Sequence, residues 1–105
     1  MARSEREKSI EAYLRRRVLE HGGLCYKWTA PGQTGVPDRI CVFPGGRIVF
    51  AETKTAGGRL TAMQRVVHNK LFSRGCVTCV IRSREDVDAM LLRIRRVKAN
   101  AVSAP

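Results

Sequence analysis

Two carboxylates and a lysine in this chain of 105 residues stand at spacings that suit metal-assisted chemistry. Along the run Arg47 to Lys54, side chains two apart share one face of a strand, so Ile48, Phe50, Glu52 and Lys54 form a row. Glu52 and Lys54 thus extend an apolar row, where an isolated charge is costly unless it is paired or bound to an ion. Asp38 opens the preceding strand, directly after Gly35-Val36-Pro37. Counted from Gly45, Asp38 lies seven residues back and Glu52 seven forward, so regular antiparallel pairing makes them neighbours. Two carboxylates so placed repel each other. A divalent cation removes that penalty, and all-oxygen ligands suit Mg²⁺, with Mn²⁺ able to substitute, rather than zinc. The adjoining Lys54 can stabilise a developing anion or orient and deprotonate a water.

The elements that position these groups follow from patterning. Ser4 to His21 has helical composition, with Ile10, Leu14 and Val18 on one face and Gly22-Gly23 as a stop. Leu24 to Trp28 reads as a strand, Pro31 to Gly35 as a loop, and Arg39–Phe43 and Arg47–Lys54 as a hairpin about Pro44-Gly45-Gly46. Thr61 suits the cap of a helix to about Ser73, with Leu60, Met63, Val67 and Leu71 as its apolar stripe. Cys76 to Arg82 gives a further strand, and Ser83-Arg84-Glu85-Asp86 resembles a capping box that opens a helix to about Arg96. The order αβββαβα predicts an α/β fold: a single compact domain over 4–97, with a central mixed sheet of about four strands flanked by helices, and a flexible tail over 98–105.

Twenty Lys and Arg against nine Asp and Glu leave a formal charge of +11, which makes a polyanion the expected partner. A composition 44% hydrophobic and 28% charged is that of a folded domain rather than a disordered chain. No run approaches the roughly 20 apolar residues of a membrane span, and MARSEREKS lacks the apolar core of a secretory signal. The expectation is an intracellular protein with no membrane partner and no small-molecule cofactor. Cys25, Cys41, Cys76 and Cys79 read as buried thiols, because Cys76-x-x-Cys79 has no second close pair with which to build a zinc site.

The run Gly35-Val36-Pro37-Asp38-Arg39, a glycine turn, Glu52-Thr53-Lys54, and Gln64 in the next helix resembles the PD-(D/E)XK nuclease signature. It is most similar to the VRR-NUC branch, over about residues 7 to 90, and to its small stand-alone phage and bacterial members. That resemblance implies a restriction-endonuclease-like core and a Mg²⁺-dependent, structure-selective DNA endonuclease. It also implies hydrolysis of phosphodiester bonds to leave a 5′-phosphate and 3′-hydroxyl, in the cytoplasm of a bacterial or phage-infected cell. Small relatives that cut branched DNA act as symmetric dimers, which implies a homodimer acting on four-way (Holliday) junctions. The resemblance assigns catalysis to Asp38, Glu52, Lys54, Gln64 and a glutamate of the first helix, with Asp38, Glu52 and that glutamate on the metal. Thr53, the variable middle position, is expected to do no chemistry.

At about 100° per residue, Glu7 and Glu11 fall near 60° and 100° from Ile10, so geometry does not separate them. Similarity to archaeal junction resolvases, whose helix glutamate precedes the closing glycine by about three turns, favours Glu11. For Glu11 the competing reading is a helix-edge charge paired with Arg15. His68 reads as a packed or surface imidazole, since no second histidine stands at ligand spacing. Lys8, Arg15, Lys27, Arg39, Arg59 and Arg65 lie on segments leading to the site and are the candidate phosphate contacts. The alternatives are a non-catalytic basic nucleic-acid-binding module, or a nuclease acting on flaps or single strands. A binding module leaves the convergence of Asp38 and Glu52 unexplained, because acids weaken binding to a polyanion unless a cation intervenes.

Overall fold

The structure is a computed structural model that describes residues 5–96; the tail expected over 98–105 lies outside them. Helix α1 (Glu5–Glu20) buries Ile10, Leu14 and Val18, residues four apart that stack on one face. It ends as the glycine pair requires. Gly22 takes φ +74°, its N–H donates to Leu19 O, and Gly23 N–H donates to Val18 O at 2.9 Å. Those two bonds close the last turn and aim the chain into the sheet.

Strands β1 (Leu24–Lys27), β2 (Arg39–Phe43), β3 (Arg47–Thr53) and β4 (Val77–Ile81) form one sheet in that spatial order. The first three are antiparallel, while β4 runs parallel to β3 after the crossover through α2 (Ala62–Ser73). Between β2 and β3, Pro44 sets the first turn angle, Gly45 and Gly46 adopt φ +86° and +75°, and Gly46 N–H returns to Phe43 O. Helix α3 (Arg84–Arg95) follows β4 and is capped by Ser83, whose Oγ accepts from Asp86 N at 3.1 Å. The reciprocal arm of the expected capping box is displaced by one residue: Asp86 Oδ2 accepts from Arg82 N.

Strand alternation divides the sheet. Cys41, Phe43, Val49, Ala51 and Ile81 meet α1 and α3 to make the main core. The other face carries Ile40, Ile48, Phe50 and Glu52. Helix α2 buries Val67 and His68. Its buried stripe is rotated from the expected one: Met63 is 47% exposed, and His68 takes an inward position at 6%. The loop before β2 packs on α2 at this point, since a Cβ on Gly35 would lie 2.6 Å from Met63 O. Cys79 pairs with Ala51 across β3 and β4 and packs against the core, as does Cys25.

Candidate active site

Pairing of Arg39 with Ala51 sets the hairpin register, and one step outward places Asp38 across from Glu52. Two bonds extend the ladders to this end. Trp28 N–H donates to Asp38 O at 2.9 Å, and Lys54 N–H donates to Ile81 O at 2.9 Å. The Trp28 ring packs on Phe50, the residue preceding Glu52 on the same face, with centroids 5.4 Å apart. Asp38, Glu52 and Lys54 thus occupy adjacent backbone positions held from both sides, at the end of β3 where the parallel β4 also finishes.

Glu52 is 5% exposed, and its Oε2 lies 4.0 Å from Lys54 Nζ. Asp38 is oriented by Thr53, which sequence reasoning set aside. Thr53 Oγ1 donates to Asp38 Oδ2 at 2.8 Å, and Thr53 N donates to Oδ1 at 3.3 Å. Thr53 is itself 3% exposed, so its hydroxyl faces that carboxylate rather than water. Alternation directs this residue to the core face, and no local signal marks it. Only its position between Glu52 and Lys54, together with a hydroxyl where a hydrophobe would pack, hints at a polar duty.

His68 was likewise legible only in part. Burial holds its imidazole pKa below the ordinary value; the charge of Asp38 opposes that shift and the charge of Lys54 adds to it. His68 therefore belongs to the electrostatic surroundings of the acids, and its Nε2 is enclosed.

The structure places the remaining candidates differently from the three at the strand ends. Glu11 turns to β2, where its Oε1 meets Arg39 Nη2 at 3.2 Å, with both side chains 13% exposed. Arg39 shares the core face with Ala51, so this pair lies under α1 while Glu52 projects from the other face. Arg15, the partner in the competing reading of Glu11, is exposed. Glu7 is half-buried one turn earlier. Gln64 completes the cap of α2: its Oε1 accepts from Thr61 N at 2.9 Å while Thr61 Oγ1 accepts from Gln64 N. Lys8, Lys27, Arg59 and Arg65 are exposed, whereas Arg39 is held in the ion pair.

Among the described residues no group of three or more His, Cys, Asp and Glu side chains is gathered as a metal cage. The Asp38 and Glu52 pair fits a different ion chemistry. Mg²⁺ is held by one or two carboxylates and retains several waters, and the hard oxygen donors match it. The four thiols are free; Cys25 and Cys41, paired across β1 and β2, bring their sulfurs to 3.8 Å.

No family model matches the chain. The chain is 41% identical over 86 residues to "Putative nuclease p44" of Acyrthosiphon pisum secondary endosymbiont phage 1, a match covering 82% of this chain and 91% of that protein. A solved structure of a VRR_NUC domain is similar with a TM-score of 0.80 at 28% identity, covering 85% of this chain and 97% of that one. The fold is thus shared with that domain over most of the chain and the sequence with the phage nuclease, and the chain belongs to the VRR-NUC branch of the PD-(D/E)XK nucleases.

Proposed function

We propose that this nuclease is a Mg²⁺-dependent, structure-selective DNA endonuclease that hydrolyses phosphodiester bonds at four-way junctions as a homodimer. The observation that carries the reading is the cross-strand placement of Asp38 and Glu52 with the Lys54 ammonium 4.0 Å from Glu52. Asp38 and Glu52 would hold the cation, which supplies charge against the scissile phosphate and makes water a better nucleophile near neutral pH. Lys54 adds a compact positive charge on the same face, suited to a phosphoryl oxygen that gains negative charge. Thr53 fixes the Asp38 carboxylate so that its orientation does not have to be found anew at each turnover. Burial of Glu52 keeps these charges in a medium where they act more strongly than in water.

A charge of +11 supports nucleic acid as substrate. For the dimer, support comes from a row of apolar side chains. Leu24, Val42 and Ile48 are direct cross-strand neighbours on the face away from α1, and Leu24, Ile48 and the nearby Tyr26 are exposed. Pairing of two such faces is isologous and sets two centres for opposing strands. No helix among the described residues is long and apolar enough to cross a membrane. The cytoplasm of a bacterial or phage-infected cell is the proposed site of action.

The test is a panel of four-way, flapped, nicked and single-stranded DNA with Mg²⁺, using the natural chain and Glu52→Ala. The reading expects cleavage concentrated on the four-way substrate, abolished by EDTA and by Glu52→Ala, with DNA affinity in EDTA intact or improved in the variant. Equal cutting of flaps or single strands removes the junction assignment, and cleavage retained by Glu52→Ala removes the site.

A further inference from the structure

We propose that a basic cavity beside the strand ends, built by Arg6, Arg82 and Arg84, seats a phosphate of the bound nucleic-acid strand other than the one being cut. The inference takes its ligand class from the nuclease reading and deepens it with a second anchoring point. The cavity has a volume of ≈ 450 Å³ and is lined by these three arginines, by Ser9 and Ser83, and by Ala56 and Ile10. None of these lining residues is acidic. Three guanidinium groups around one space repel each other, and an anion there turns that repulsion into attraction.

Two of the arginines are held in advance. Arg82 Nε donates to Gly58 O at 2.8 Å, which ties its guanidinium to the loop that follows Lys54. Arg84 Cζ stands 5.1 Å from the centroid of the Tyr13 ring, a cation-π contact that limits the rotamers of an exposed side chain. The helix end contributes little, because Arg82 N is bonded to Asp86 Oδ2 and Asp86 N to Ser83 Oγ. The residues the cavity offers an anion are therefore its three arginines and two serines.

Its location selects the ligand. Arg82 follows Ile81, the β4 partner of Thr53 and the acceptor of Lys54 N–H, and Ala56 is two residues beyond Lys54. The cavity thus lies at the same end of the sheet as the acids and lysine, on the side of α1, which contributes Ser9 and Ile10. In the proposal, a strand whose scissile phosphate rests against Asp38 and Glu52 continues around this end of the sheet to the cavity, whose volume accepts a sugar-phosphate unit. The anion is either an internal diester or a terminal monoester, which share the phosphate chemistry that arginine reads bidentately.

Binding of fluorescent oligonucleotides in EDTA, measured over a series of salt concentrations, tests the proposal without relying on cleavage. Arg6→Gln and Arg84→Gln, singly and combined, are compared with Arg95→Gln/Arg96→Gln, which removes the same charge at the other end of α3, roughly 16 Å away. Each oligonucleotide is prepared with a 5′-phosphate and with a 5′-hydroxyl. The proposal expects the Arg6/Arg84 double variant to lose about tenfold in affinity and to flatten the logarithmic salt slope by about 1 to 2, with the control variant nearly unchanged. Loss with both oligonucleotides identifies an internal diester, and loss confined to the phosphorylated one identifies a strand end. An unchanged slope and affinity in the double variant, or an equal loss in the control, overturns the proposal. Mg²⁺-dependent cleavage by the natural chain, assayed alongside, judges the nuclease reading separately.

Discussion

Thr53→Val keeps a β-branched side chain in place and deletes only the hydroxyl that reaches Asp38 Oδ2 at 2.8 Å. At 3% exposure no bulk water replaces the lost donor. The backbone N–H of Thr53, 3.3 Å from Oδ1, remains, so one of its two bonds to the carboxylate is removed. A hydrogen bond to a charged group contributes about 1.5 to 3 kcal/mol. If that energy serves to hold Asp38 toward a cation, its loss raises the half-saturating Mg²⁺ concentration roughly 10- to 150-fold. The assay is cleavage rate against Mg²⁺ concentration for the natural chain, Thr53→Val and Thr53→Ser, with DNA affinity measured in EDTA. Thr53→Ser should recover most of the affinity for Mg²⁺, and DNA affinity should be the same in all three. A Thr53→Val protein with the Mg²⁺ requirement of the natural chain refutes the positioning argument.

Other residues carry further expectations. Gly35→Ala combines φ +88° with a Cβ 2.6 Å from the Met63 carbonyl, and should cost about 2 to 5 kcal/mol in urea unfolding. Gly32→Ala, at φ +77° with open space around it, should cost only about 1 kcal/mol. A double-mutant cycle with Glu11→Gln and Arg39→Met should give a coupling energy of about 1 to 3 kcal/mol, since both side chains are 13% exposed; additive losses would show that the pair does not interact. Burial pushes the Cys79 thiol up to about 12, so iodoacetamide at pH 8 should spare it in the native chain and label it in urea. Because the folded value is the raised one, the unfolded chain releases this proton first, and the stability contribution is lost as pH rises from about 9 toward 12.

The acids were legible because a turn and an alternation fix a register. Pro44-Gly45-Gly46 demands a tight connection, and counting outward from it reaches Asp38 and Glu52, the positions that the Arg39 and Ala51 pairing brings across from each other. Helix α1 was legible through its stop at Gly22, and Gly75 closes α2 in the same way, with positive φ and the same two backbone bonds. What escaped depended on contacts between distant segments. Arg39 pairs with Glu11, 28 residues away, a contact that no local spacing shows. Helix α2 exposes Met63, an expected core residue, and buries His68, and the Gly35 loop packs against it at Met63. Gln64, expected on the catalytic pattern, also completes the capping box of α2, a second duty that the sequence leaves open. Thr53 shows the limit of strand alternation. A side chain assigned to one face still reaches a carboxylate at the strand end when that carboxylate bends toward it.

The paired acids are tested most directly by counting bound Mn²⁺ with electron paramagnetic resonance, using the folded natural chain, Asp38→Asn and Glu52→Gln without DNA. The account predicts Mn²⁺ bound by the natural chain, displaced by excess Mg²⁺, and lost in both variants. Mn²⁺ bound equally by the natural chain and Glu52→Gln contradicts it.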